Sequence, residues 1–365
     1  MFIPLPLCML AVAQGNAPIT VTRGKVHEHL GMTLDFSEPG KFKVKMVDYV
    51  DSMLESLPDD MGGIAATPAG DCLFEVNNDN PAKLDEKTAQ LFHHLVAKAM
   101  FPCKRARLGL QTAVAFLSAR VKEPDADDCK KLKRMMECLR GTRELCLTLE
   151  AEDPHVIKWW IDALFAVHPD MKSHTGCCLS LGKGSVCGTS TRQKLNTKSS
   201  TEAELVGMNG VLPQVLWTRH LLEAQGHEAR DNVVFQDDQS ATLLANNGRG
   251  SSGKRMRHIE IRCFFVTDRI NQKQMRVACR PTAEMTADCF TKPLQGALFR
   301  RLRDAVLNIP QKHGPASVEN TDASTLQCRR SVLKNSGPVE GQTWSQVVAG
   351  SSVQNSAVSS SRAAG

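Results

Sequence analysis

Residues 199–226, SSTEAELVGMNGVLPQVLWTRHLLEAQG, decide how the rest of this chain is read. Leu205, Met208, Leu212, Val215 and Leu216 recur at helical spacing, which predicts a helix with one apolar face. Ser199, followed three positions on by Glu202, forms a capping box that meets first-turn amides without help from Glu204. Glu204 stands at the edge of the apolar stripe. An acid near a helix start is ordinarily a solvated side chain favoured by the macrodipole. Packed against a sheet, the same acid can meet other carboxylates. Pro213 deletes the amide that would bond Asn209, and with Gly207 and Gly210 nearby a kink or short break is expected.

Working outward, the composition changes at Cys146. Beyond it, short runs at 156–161, 176–181 and 185–189 read as a meander of three strands leading into the helix. After the helix come a fourth strand at 232–236, helices from Gln239 and Ile259, a fifth strand at 275–279 and a closing helix from Gln295. Three strands followed by alternating helices and strands argue for an α+β fold, a mixed five-stranded sheet with helices on its faces.

That order brings four acids together. Asp162 ends the first strand, Glu204 lies on the first helix, Asp237 ends the fourth strand and Asp288 precedes the last helix. Carboxylates gathered at one edge repel and raise one another's pKa values, a cost that divalent cations relieve. Oxygen-only ligands select hard metals, so two Mg²⁺ or Mn²⁺ ions are expected rather than zinc. Such a pair, roughly 4 Å apart, suits phosphodiester hydrolysis.

Ahead of Cys146 the 3.6-residue period recurs at 46–57, 85–100, 110–121 and 127–140, after a strand candidate at 31–36 and the turn signal SEPGK. This half is α-rich with a small β entry. The 365 residues carry 42% hydrophobic content and a net charge of +6, which suits two globular domains with some tail and is compatible with nucleic acid. The thirteen cysteines include no C-x-x-C pair, so neither a disulfide framework nor a zinc site is expected. No cation precedes Arg23 and two prolines interrupt the apolar N-terminal run, so the chain reads as intracellular, cytoplasmic or nuclear, and not secreted. No run is long enough to span a membrane.

The segments KWWIDALFAVHPDMKSHTG, TRQKLNTKSSTEAEL, FQDDQSATLLANN, KRMRHIEIRCFFVTDRI and PTAEMTADCFTKPLQG together resemble the ribonuclease H domain of copia-type retrotransposon Pol polyproteins, over about 152–308. Upstream, GKVHEHLGMTLDF, AATPAGDCLF and CLRGTRELCLTL resemble the last palm strand, thumb and connection of that family's reverse transcriptase. The resemblance implies a ribonuclease H-like domain at 146–309 after a mostly helical reverse transcriptase remnant at 19–145. It leaves 1–18 unassigned and 310–365 as a Ser- and Gly-rich tail expected to be disordered.

By position, Asp162, Glu204, Asp237 and Asp288 stand where the family's metal-binding acids stand. The implied activity is two-metal hydrolysis of RNA in RNA/DNA hybrids; the alternative is a nucleic-acid-binding remnant without chemistry. Asp238 is the rival of Asp237 and reads as a helix N-cap. His258 matches a family position but suits helix capping or a structural role as well as proton transfer. Two basic stretches suit hybrid phosphates: Arg192, Lys194 and Lys198, and then Arg249, Lys254, Arg255 and Arg257. The family's polymerase needs a Tyr-x-Asp-Asp turn, and the sole tyrosine, Tyr49, is followed by Val50, Asp51 and Ser52. The chain is therefore not a competent polymerase alone, reads as a fragment, and has the missing polymerase portion of Pol as an expected partner. Cys177 and Cys178 read as buried thiols.

Overall fold

The structure, a computed structural model, describes residues 23–58, 61–76, 83–153, 155–248 and 260–310. Asp59–Asp60, the basic loop with Arg249, Lys254, Arg255, Arg257 and His258, the segment 1–18 and the tail from 311 lie outside the described residues.

Leu30 and Gly31 both take positive φ, 50° and 72°, the conformation of a two-residue hairpin turn. They join β1 (Val26–His29) to β2 (Met32–Asp35). Next comes β3 (Lys41–Lys45), whose lysines alternate with Phe42 and Val44. Four helices follow: α1 (Val47–Glu55), α2 (Glu86–Arg105), α3 (Gln111–Arg120) and α4 (Ala126–Gly141). Asp125 caps α4 with a full capping box to Asp128. Tyr49 lies on α1, where its hydroxyl donates to Lys98 O at 3.2 Å. The helices bury a shared core of Phe92, Leu95, Leu117, Leu132, Met135 and Leu139.

After α4 the chain returns to the first sheet. β4 (Leu147–Ala151) pairs antiparallel with β3, and the short β7 (Gly182–Lys183) closes the order β1-β2-β3-β4-β7.

The second sheet is built from β5 (Val156–Leu164), β6 (His174–Ser180), β8 (Cys187–Arg192), β9 (Asp231–Gln236) and β10 (Arg276–Cys279). Its order is β10-β9-β5-β6-β8, with β5, β6 and β8 antiparallel and β9 and β10 parallel to β5. This is the expected mixed five-stranded sheet. The helices are α5 (Ser200–Ala224), α6 (Gln239–Asn247), α7 (Glu260–Asn271), α8 (Asp288–Thr291) and α9 (Gly296–Leu307).

Both faces of this sheet are covered, as a central β5 apolar at nearly every position requires. Ile157, Trp159 and Ile161 enter a core with Leu205, Met208, Leu212 and Val215 of α5. On the other face Cys178 packs with Cys289, Phe290, Phe299 and Leu302, and the same cluster takes in Val44, Ala106, Leu108 and Leu147 from the first half. Thr112 of α3 donates to Cys289 O at 2.9 Å, tying the helical half to α8. Phe74 meets His168 edge-on and His174 at a tilt; the two histidines bond each other at 3.0 Å, and His174 reaches Ser190 Oγ at 2.7 Å.

The short break considered at Pro213 does not occur. α5 runs unbroken through Pro213. Pro213, Gln214 and Gly210 are exposed, so the carbonyl of Asn209, freed by the missing amide, faces the wet side, where water can satisfy it. Cys177 and Cys178 are buried, as expected, and burial pushes their thiols up to about 11 and about 12. No disulfide joins Cys72, Cys103, Cys138, Cys146, Cys177, Cys178, Cys187, Cys279 or Cys289. No described helix is long and apolar enough to cross a membrane.

Candidate metal centre

Glu204 reaches the sheet because of how α5 begins. Ser199 Oγ accepts from the Glu202 amide at 3.2 Å, and Glu202 turns back to accept from the Lys198 amide at 2.6 Å. With the first turn satisfied, Glu204 projects into the buried side of the helix and is only 5% exposed. Asp162 lies on β5, opposite Gly176 of β6. A Cβ at Gly176 would come within 2.6 Å of Thr291 Cγ2 and 2.7 Å of the Phe290 carbonyl carbon, so glycine lets α8 lie close against Asp162. Asp237 follows directly after β9.

Asp162, Glu204 and Asp237 each offer an oxygen within 4.8 Å of the others. Asp288, the first residue of α8, joins through Lys292: the ammonium lies 2.7 Å from Asp288 Oδ1 and 3.6 Å from Asp162 Oδ2. Asp238 caps α6, accepting from Ser240 and Ala241 amides at 2.7 and 3.0 Å, and takes a bond from Thr201 Oγ1 at 2.9 Å. It is engaged as the N-cap.

Glu204, Asp237 and Asp162 each have a neutral partner. Gln236, fully buried, donates to Glu204 Oε2 at 2.9 Å. Thr282 Oγ1 donates to Asp237 Oδ2 at 2.9 Å, and Thr291 Oγ1 donates to Asp162 Oδ2. Burial, then the charge of Asp162, pushes Glu204 well above the usual carboxylate range, with the Gln236 bond pulling the other way. Burial and Asp162 push Asp288 up to about 7 against the pull of Lys292. Burial works to lower Lys292, yet Asp162 and Asp288 hold it above the usual ammonium range.

The donors are carboxylate oxygens only, the set that hard divalent cations take. Around an octahedral Mg²⁺, opposite oxygens are about 4.2 Å apart, so a group within 4.8 Å closes on an ion by small side-chain rotations. The residues present fit a divalent ion.

Arg192, Lys194 and Lys198 are exposed on the connection from β8 to α5. Arg192 pairs with Asp170. Sequence reasoning passed over Gln236, Thr291 and Lys292. For Lys292 a signal existed in its spacing of four from Asp288, which puts the two side chains together on one helical turn.

No protein-family model matches the chain. In sequence it is 25% identical over 288 residues to the retrovirus-related Pol polyprotein from transposon TNT 1-94 of Nicotiana tabacum, covering 78% of this chain and 22% of that protein. It is 29% identical over 212 residues to the retrovirus-related Pol polyprotein from transposon RE2 of Arabidopsis thaliana, covering 57% and 14%. The chain thus spans no more than 22% of the length of either relative. Among solved structures, the foamy viral protease-reverse transcriptase in complex with RNA/DNA hybrid is similar at 9% identity and a TM-score of 0.42, over 82% of this chain and 32% of that one. RNase H1 from the halophilic archaeon Halobacterium salinarum NRC-1 is similar at 13% identity and a TM-score of 0.26, over 37% and 92%. The second sheet has the ribonuclease H-like order, third, second, first, fourth, fifth in chain sequence, antiparallel then parallel. The chain is similar in sequence to retrovirus-related Pol polyproteins from plant transposons, and its second sheet with the surrounding helices has the expected ribonuclease H-like mixed α+β arrangement.

Proposed function

We propose that the chain hydrolyses the RNA strand of RNA/DNA hybrids at Asp162, Glu204, Asp237 and Asp288. The observation that carries this reading is the convergence of Asp162, Glu204 and Asp237 oxygens within 4.8 Å on a ribonuclease H-like sheet. Divalent ions, Mg²⁺ or Mn²⁺, bound there supply water activation and stabilise charge on the leaving oxygen. The protein's own part is to hold the acids ready. Gln236 orients Glu204, Thr291 orients Asp162 and Thr282 orients Asp237. Arg192, Lys194 and Lys198 meet phosphates on the way into α5, where they attract a duplex without reading its bases.

The test is cleavage of a labelled hybrid by the full chain, wild type against Asp237→Asn, with single-stranded RNA and duplex DNA as controls. Mg²⁺-dependent cutting of the RNA strand that disappears in Asp237→Asn is the expected result. Equal cutting by both proteins would rule out this site. Hybrid binding that survives the substitution, with no cutting at any Mg²⁺ concentration, would replace the proposal with a binding role.

A further inference from the structure

Among the described residues, one pair of the four acids holds a cation between them. Asp162, Glu204 and Asp237 approach one another, each hydrogen-bonded by a neutral side chain, Thr291, Gln236 and Thr282. Between Asp162 and Asp288 the ammonium of Lys292 is seated, 3.6 and 2.7 Å from their oxygens. Its backbone is pinned, since Lys292 N donates to Asp288 O at 3.0 Å and Pro293 follows with its fixed φ. Its side chain keeps 27% exposure and a flexible four-carbon stem, so the ammonium can swing toward water while the backbone stays put.

The two sides of the carboxylate group therefore differ in what a metal ion meets. An ion entering among Asp162, Glu204 and Asp237 can leave the closer Lys292–Asp288 pair in place and relieves repulsion. An ion entering between Asp162 and Asp288 has to evict a charge already satisfied there. We infer that Lys292 is a built-in cation standing in for the second divalent ion, so that the ions load in order and the second binds only by displacing the ammonium. This rests on the reading of the acids as a metal site. Lys292 is then a positioning residue that sets the divalent concentration at which the site fills.

The test is isothermal titration of Mn²⁺ into the full chain at constant ionic strength, comparing wild type with Lys292→Met and Lys292→Gln, the second variant guarding against a folding defect in the first. Wild type is expected to show a first class of site and a second weaker by roughly tenfold or more, the scale of removing one partly buried charge. In both variants the second class tightens toward the first while the first is unchanged. Metal-free thermal unfolding adds a readout: both variants melt earlier than wild type, and the gap closes at saturating Mn²⁺. A second class unmoved in both folded variants would overturn the inference and leave the metal site standing. No Mn²⁺ binding by any of the three folded proteins would overturn the metal reading and this inference with it.

Discussion

Gln236 joins two parts of the centre: its side-chain nitrogen donates to Glu204 Oε2 at 2.9 Å, and its side-chain oxygen accepts from the Asp237 amide at 2.8 Å. The same oxygen accepts from the Asp238 amide at 3.2 Å. One buried amide thus fixes a carboxylate on α5 and the turn that carries the next carboxylate. Gln236→Leu is expected to lose about 1–3 kcal/mol of metal-free stability, the cost of buried polar groups left without partners. Urea unfolding measures it. A loss under about half a kcal/mol would show that Glu204 does not depend on this bond.

Glu204→Gln is expected to act in opposite directions on stability and on metal response. Removing one of several crowded carboxylates raises the metal-free melting temperature, while the rise that Mg²⁺ produces in wild type disappears. The pH dependence has a definite sign. Asp288, raised to about 7, contributes stability that is full below its ordinary pKa and is lost as pH rises through about 7. Mg²⁺ needs the ionised form, so its stabilising effect on wild type should be larger at pH 8 than at pH 6. Calorimetry at both pH values checks this, and an equal shift at each would exclude competition between protons and metal.

At Gly176 a methyl group has no room, with Thr291 and Phe290 atoms within 2.8 Å of where it would sit. Gly176→Ala is expected to cost about 1–3 kcal/mol through overpacking. It should also push α8 away from Asp162 and weaken Mn²⁺ binding. Unchanged stability together with unchanged binding would mean that α8 adjusts freely.

The pair His168 and His174 makes the fold sensitive to acid. Burial and then the charge of Arg192 push His168 down to about 4, and burial and then His168 push His174 down to about 3. Folded-state values below the ordinary one mean that the stability is present at neutral pH and lost as pH falls below about 6.5. Between pH 7.5 and 5, wild type should lose about 2–4 kcal/mol more than a variant carrying His168→Phe and His174→Phe, because two buried rings would otherwise have to accept protons. Asp288 titrates in the opposite sense in both proteins, so the difference isolates the histidines. Parallel slopes from urea midpoints would contradict the assignment.

Much of this architecture was legible because its signals are local. Ser199 caps α5, and Leu205, Met208, Leu212 and Val215 are all buried under it. The three strands, then alternating helices and strands, assemble in the order their periods suggested. Of the first sheet only β2 was read, within the strand candidate at 31–36, and its partners were hidden. β3 is five residues long and its partner β4 lies far along the chain, a pairing that no short window can reveal. Pro213 misled because its penalty assumes a buried carbonyl, and here that side of α5 is wet. At the site, Asp162, Glu204 and Asp237 converge, whereas the roles of Gln236 and Lys292 follow from neighbours on other elements. Gln236 looks like one more strand residue, and Lys292 like a solvated cation, until β9 and α8 are set beside α5 and β5.

The pairing of β3 with β4 also orders events at the ribosome. Val44 meets Leu147, 103 positions later, and β4 in turn pairs with Gly182 and Lys183 beyond the β5–β6 hairpin. As the chain emerges, α1 to α4 can condense around Leu95 and Met135 from local contacts. The three strands ahead of them, β1 to β3, wait with the β3 edge unpaired by β4, a surface that recruits other strands while it is open. The nascent chain is therefore most exposed to mispairing after its fourth helix is made and before residues 147–151 clear the exit tunnel. A pause in translation within that window would act on the first sheet before Glu204, Asp237 or Asp288 is made.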